Sequence, residues 1–99
     1  MADLTIVYWR DIPAQVIVDK GRRGAKVQLP ERFEQAIDRA AMKSGADQTD
    51  DYLAEWRKVP ATSEFGGSDM DVAQAEAARL DAEYDQNRLK ALIDNDGRA

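Results

Sequence analysis

The apolar residues of the first thirty positions recur in short runs of β type. Leu4-Thr5-Ile6-Val7-Tyr8-Trp9 is dense in β-branched and aromatic side chains, which suit a pleated surface, and predicts a first strand. Pro13 lacks an N–H and pushes Ile12 into an extended conformation, so Asp11-Ile12-Pro13 should end that strand. Ala14-Gln15-Val16-Ile17-Val18 resumes the pattern as a second strand. Lys20-Gly21-Arg22-Arg23-Gly24 then supplies two glycines for a turn with positive φ, and Ala25-Lys26-Val27-Gln28-Leu29 alternates apolar and polar as a third. Short links favour antiparallel neighbours, hence a three-stranded meander.

From Pro30 the period becomes helical. Pro30 suits a first turn, Glu31 suits the positive end of the helix dipole, and Phe33, Ile37, Ala40, Ala41 and Ser44 form one narrow stripe that Gly45 closes. Phe33 and Ile37 should pack on the strand face carrying Ala25, Val27 and Leu29. A second helix is predicted with Thr49 as N-cap, Asp50 and Asp51 in its first turn, and Arg57 and Lys58 in its last. Tyr52, Leu53 and Trp56 give it an apolar side, and Pro60 stops it. Residues 60–68 read as a loop carrying one large apolar group, Phe65. Ser68-Asp69-Met70-Asp71 has capping-box spacing, and from there to Ile93 no Gly or Pro intervenes, which predicts a single long helix. Its stripe of Ala73, Ala77, Leu80 and Tyr84 moves round to Leu89, Leu92 and Ile93.

The expected fold is therefore α+β: a three-stranded antiparallel meander followed by three helices, the last long and acidic. Residues 1–59 would form the compact part, 60–68 a loop, and 69–96 a C-terminal helix of the same domain. A chain of 99 residues has room for one modest core.

Composition narrows the chemistry. With no His and no Cys, the chain has no thiolate nucleophile, no imidazole base and no soft-metal ligand set. The net charge of -5 conceals a division: residues 1–45 hold 8 basic and 6 acidic side chains, and residues 46–99 hold 6 and 13. Met1-Ala2-Asp3 starts on an acid, and the run Ile6–Trp9 is too short for a signal or a membrane span, so a cytoplasmic protein is expected.

Three features invite a functional reading. In the first strand Leu4, Ile6 and Tyr8 point to one face, and Val7 and Trp9 to the other, so both faces are apolar. Either the long C-terminal helix covers the second face, or Val7, Trp9 and Ile17 form a patch that a partner buries, rimmed by Arg10, Arg22 and Arg23 and joined by Trp56. The basic turn of Lys20, Arg22, Arg23 and Lys26 could lie along nucleic acid, but it lacks the length and terminal Lys-Ser/Thr of a phosphate loop, and a solvated turn is the commoner case. The acids Asp47, Asp50 and Asp51, or Asp81, Glu83 and Asp85, lack the calcium-loop pattern and read as helix-start charges and a wet helix face. An enzyme would need a pocket joining acids to Tyr8 or Tyr52. The leading expectation is a non-enzymatic interaction or accessory module with a protein partner and no cofactor; nucleic-acid binding through the basic hairpin is the alternative.

Thr5-Ile6-Val7-Tyr8-Trp9-Arg10-Asp11-Ile12-Pro13, the Leu29-Pro30-Glu31-Arg32-Phe33 helix start and Tyr52-Leu53-Ala54-Glu55-Trp56 resemble the small bacterial "virulence factor" domain family over roughly the first 58 residues. The resemblance brings no catalytic residues with it. Stand-alone members often occur beside genes of folate and corrinoid methyl transfer, so the resemblance implies an accessory protein to that metabolism.

Overall fold

The computed structural model describes residues 2–18, 24–46 and 48–99. β1 (Ala2–Trp9), β2 (Ile12–Val18) and β3 (Ala25–Gln28) form the expected antiparallel meander. A fourth strand, β4 (Trp56–Ser63), pairs antiparallel with β1 and gives the order β3-β2-β1-β4. The helices are α1 (Glu31–Ser44), α2 (Thr49–Ala54), α3 (Asp69–Glu83) and α4 (Gln86–Asp94). The α+β class holds, but with four strands and four helices in place of three and three.

β4 replaces the predicted second half of the second helix and the start of the predicted loop. β1 offers a full-length partner, from Ala2 opposite Ser63 to Trp9 opposite Trp56, and eight residues of ladder outweigh the weak helical preference of that stretch. Thr49 begins α2 instead of capping it; Gln48 stands at the cap position. Pro60 faces Thr5 across the ladder. Having no N–H, Pro60 fits only where the pairing asks for none, so its ring lies on the free edge of β4 and interrupts it.

The predicted long helix breaks at Tyr84, whose φ of -99° and ψ of 72° leave the helical region. Asp85 restarts it by accepting the Arg88 backbone N–H at 2.8 Å. The moving stripe is the reason: α3 buries Val72, Ala73, Ala77 and Leu80 and packs across β2 and β3, whereas α4 buries Leu89 and Leu92 and packs on α1. Arg32 of α1 holds the elbow, donating to the carbonyls of Tyr84 and Asp81, both at 2.7 Å, and pairing with the Asp81 carboxylate. Ser68 caps α3 with the reciprocal Ser68–Asp71 hydrogen bonds that the sequence predicted.

The core lies between α3 and the sheet face carrying Leu4, Ile6, Val16, Val18 and Ala25, all buried. Burying one such aliphatic side chain contributes about 1.5–3 kcal/mol, so this face anchors the fold. At the far end of the sheet a bulge between Val7 and Tyr8 leaves Ala14 as the extra residue of β2. There α1, α2 and the chain near Gly97 close over the strand ends, and Trp9 and Ile12 become fully buried.

Candidate functional site

Strand alternation and register define the second face of the sheet. One row across it runs Lys26, Ile17, Thr5, Pro60, and the next runs Gln28, Gln15, Val7, Lys58. Lys26, Gln28, Lys58 and Pro60 are exposed, while Ile17, Thr5, Gln15 and Val7 are half-buried by their neighbours in the sheet. α3 covers the opposite face, so of the two arrangements the sequence left open, cover of Val7 and Ile17 by the C-terminal helix is not the one adopted.

This face ends in a cleft of about 210 Å3 where it meets α1 and α2. Val7, Gln15 and Gln28 form its sheet side; Ile37 and Glu34 of α1, Tyr52 of α2 and Trp56 of β4 form the rest. Tyr52 is stacked on Trp9 at 5.9 Å between ring centroids and makes a T-shaped contact with Trp56 at 5.8 Å. Its hydroxyl is pushed above the ordinary tyrosine value, first by burial and then by the carboxylates of Asp38 and Glu34, so the cleft has a negative field.

The sequence-predicted site residues separate into three groups. Val7, Ile17 and Trp56 share the open face and its cleft. Trp9 does not belong there: it is 0% exposed, and its indole N–H donates to the Tyr52 carbonyl at 3.0 Å, so it holds α2 to β1 and offers no surface. Arg10 likewise works inside the fold. Its φ of 52° places it in the tight β1–β2 turn, its guanidinium lies over the Trp9 ring, and it donates to the Asp96 carbonyl at 2.6 Å while facing Glu55 at 3.5 Å. Arg22 and Arg23, with the rest of the basic turn except Gly24 and Lys26, lie outside the described residues.

Glu34 was not singled out from sequence, and Tyr52 and Trp56 were placed together on one side of a helix, whereas Trp56 begins β4. Reading 56–63 as helix and loop hid the signal, because the alternation of Lys58, Pro60 and Thr62 with Val59, Ala61 and Ser63 is what brings Trp56 to the end of the sheet. Of the acidic groups singled out, Asp81 pairs with Arg32, Glu83 with Arg79 and Arg88, and Asp85 caps α4, while Asp50 and Asp51 stand in the first turn of α2 and Asp47 lies outside the described residues.

Behind the sheet, Tyr8 and Tyr84 lie against Arg57 and Arg88, whose guanidiniums stand 5.1 and 4.0 Å from the respective ring centroids. The Tyr8 hydroxyl is pushed up, chiefly by burial and secondarily by Tyr84, with Arg57 opposing. Phe65 is 43% exposed in the segment before α3. No helix among the described residues is long and apolar enough to cross a membrane.

A family model described as "Virulence factor" matches residues 7–93, which is most of the chain and takes in both the open face and the α3–α4 elbow. No curated protein and no solved structure matches.

Proposed function

The chain belongs to the virulence factor family, and from that premise we propose that it is a non-enzymatic, cytoplasmic protein-interaction or accessory module that binds its partner through the open face of the sheet. The observation that carries this reading is that Val7 and Ile17 lie diagonally across the β1–β2 ladder on the sheet face opposite α3, with Trp56 at the cleft where that face meets α1 and α2. Apolar and aromatic groups ringed by lysines and glutamines match the make-up of a contact patch with a polar rim. Pro60 interrupts the free edge of β4, and β3 is four residues long, so the contact uses side chains of the face in preference to an added strand. The lack of His and Cys supports a role without thiolate or imidazole chemistry. The family's resemblance-based link to folate and corrinoid methyl transfer makes enzymes of that metabolism the first partners to try.

The test is photo-cross-linking in native lysate from a probe at exposed Lys58, comparing the native face with Ile17→Asp. A specific adduct that Ile17→Asp removes while the protein stays folded is the expected result. Equal adducts from both proteins, or none, overturn the reading. Salt-dependent nucleic-acid binding that is lost in Arg22→Ala and Arg23→Ala would favour the alternative through the basic turn.

A further inference from the structure

Four of the seven aromatic rings in this chain carry one of its own arginines: Arg10 over Trp9 at 4.8 Å, Arg32 over Phe33 at 4.5 Å, Arg57 over Tyr8 at 5.1 Å and Arg88 over Tyr84 at 4.0 Å. Guanidinium on aromatic face is thus the recurrent polar contact of the fold. Of the other three, Tyr52, Trp56 and Phe65, the first two line the cleft at the end of the open face.

The other groups of that cleft are of the matching kind. Glu34 lines it, Asp38 lies one helical turn further on the same side of α1, and the amides of Gln15 and Gln28 bring acceptor oxygens from the sheet. No cationic side chain is among the described residues that line it. A ring quadrupole attracts a cation to its face, and a carboxylate beside the ring reinforces that attraction. Ile37 and Val7 supply an apolar floor for the methylene stem of a long cationic side chain.

We propose that the cleft formed by Tyr52, Trp56 and Glu34 receives an arginine side chain of the protein that docks on the open face. The proposal rests on the interaction reading above and adds the chemistry of the partner: an exposed arginine flanked by apolar residues that lie along Val7 and Ile17. Arginine is favoured over lysine because its planar, weakly hydrated guanidinium stacks on rings and donates in a fork to a carboxylate. The cleft is open at its mouth, so the cation reaches it without any rearrangement of the sheet.

The experiment is a titration of the full chain, isotopically labelled, with the capped peptide Gly-Arg-Gly and, separately, capped Gly-Glu-Gly. The readout is the indole N–H resonances of Trp56 and Trp9. The expected result is a progressive shift of the Trp56 signal with the arginine peptide alone, a much smaller change at Trp9, whose N–H is held by the Tyr52 carbonyl, and about two- to fivefold weaker binding in Glu34→Gln. Glu34 is exposed, so this variant keeps the fold. A Trp56 signal that does not move, that moves equally with the glutamate peptide, or that ignores Glu34→Gln overturns the proposal. Loss of cross-linking in Ile17→Asp together with any of these outcomes removes the arginine pocket and leaves the interaction reading standing.

Discussion

Ser63 donates its hydroxyl to the Glu76 carboxylate at 2.9 Å, and both side chains are buried where the end of β4 meets α3. The Ser63 oxygen in turn accepts the Phe65 backbone N–H at 3.1 Å, and Arg79 pairs with the second Glu76 oxygen at 2.9 Å. A carboxylate that is 5% exposed is stable only while its acceptors are satisfied, so this pair fastens the edge strand to the helix behind it. Ser63→Ala removes one donor and leaves the charge, which predicts a loss of about 1–3 kcal/mol, read as a lower urea midpoint at unchanged slope.

Gly97 packs its backbone directly against the buried Trp9 indole. Its φ is 85°, and a Cβ there would stand 3.0 Å from Cζ3 of Trp9. Its carbonyl also accepts the Asp11 N–H at 2.8 Å, so the backbone cannot retreat without breaking that bond. Gly97→Ala combines an unfavourable backbone region with a clash, and a destabilisation of about 1–3 kcal/mol is expected in thermal unfolding, with an altered near-ultraviolet signal from Trp9.

Trp9 and Ile17 have opposite roles although both look like partner residues in the sequence. Trp9→Ala empties a fully enclosed site and should cost about 3–5 kcal/mol. Ile17→Asp changes a half-buried side chain on the open face of a central strand and should cost about 1–2 kcal/mol, well below Trp9→Ala, while abolishing partner cross-linking. Denaturation of both variants beside the cross-linking assay separates fold from contact; a stable Trp9→Ala protein would contradict the packing described.

The meander, the start of α1 and the capping box of α3 were legible because each rests on local chemistry: β-branched runs, Pro30 before Glu31, and Ser68 three residues before Asp71. β4 was not, because its stability comes from pairing with β1, more than forty residues earlier in the chain, and not from its own propensity. The candidate site was half legible for the same reason. Alternation exposes Val7 and Ile17, but only the return of β4 alongside β1 brings Trp56, with Tyr52, to the end of the face that carries Val7. Trp9 misled because alternation assigns it to the open face, and closure by α1 and α2 at the strand end cannot be read from period two.

Alkaline pH should weaken the fold through Tyr8. Its hydroxyl titrates above the ordinary value of 10.0 in the folded chain, mainly because burial disfavours the phenolate. The unfolded chain therefore loses this proton first as pH rises, so the stabilising contribution is complete below pH 10 and is lost as pH climbs through the folded value. Tyr52, raised for the same first cause, acts in the same direction. Urea midpoints should fall from neutral pH to above pH 10, and Tyr8→Phe should fall less steeply; an identical slope would assign the effect to other groups.

The elbow between α3 and α4 depends on two side chains of different kinds, and they can be tested against each other. Asp85 caps α4 through the Arg88 N–H, a local bond whose loss in Asp85→Ala should cost about 0.5–2 kcal/mol. Arg32 ties α1 to the carbonyls of Asp81 and Tyr84, so Arg32→Ala releases two elements from each other at once. If the break at Tyr84 is set by where the apolar stripe must point, then neither variant restores a continuous helix, since Leu89 and Leu92 would be turned away from α1. Helical content should stay constant or fall in both variants, and amide exchange should speed up at α4 before it does at α3, whose face is anchored on the sheet. A rise in helical content in Asp85→Ala would show that the cap, and not the direction of the stripe, imposes the bend.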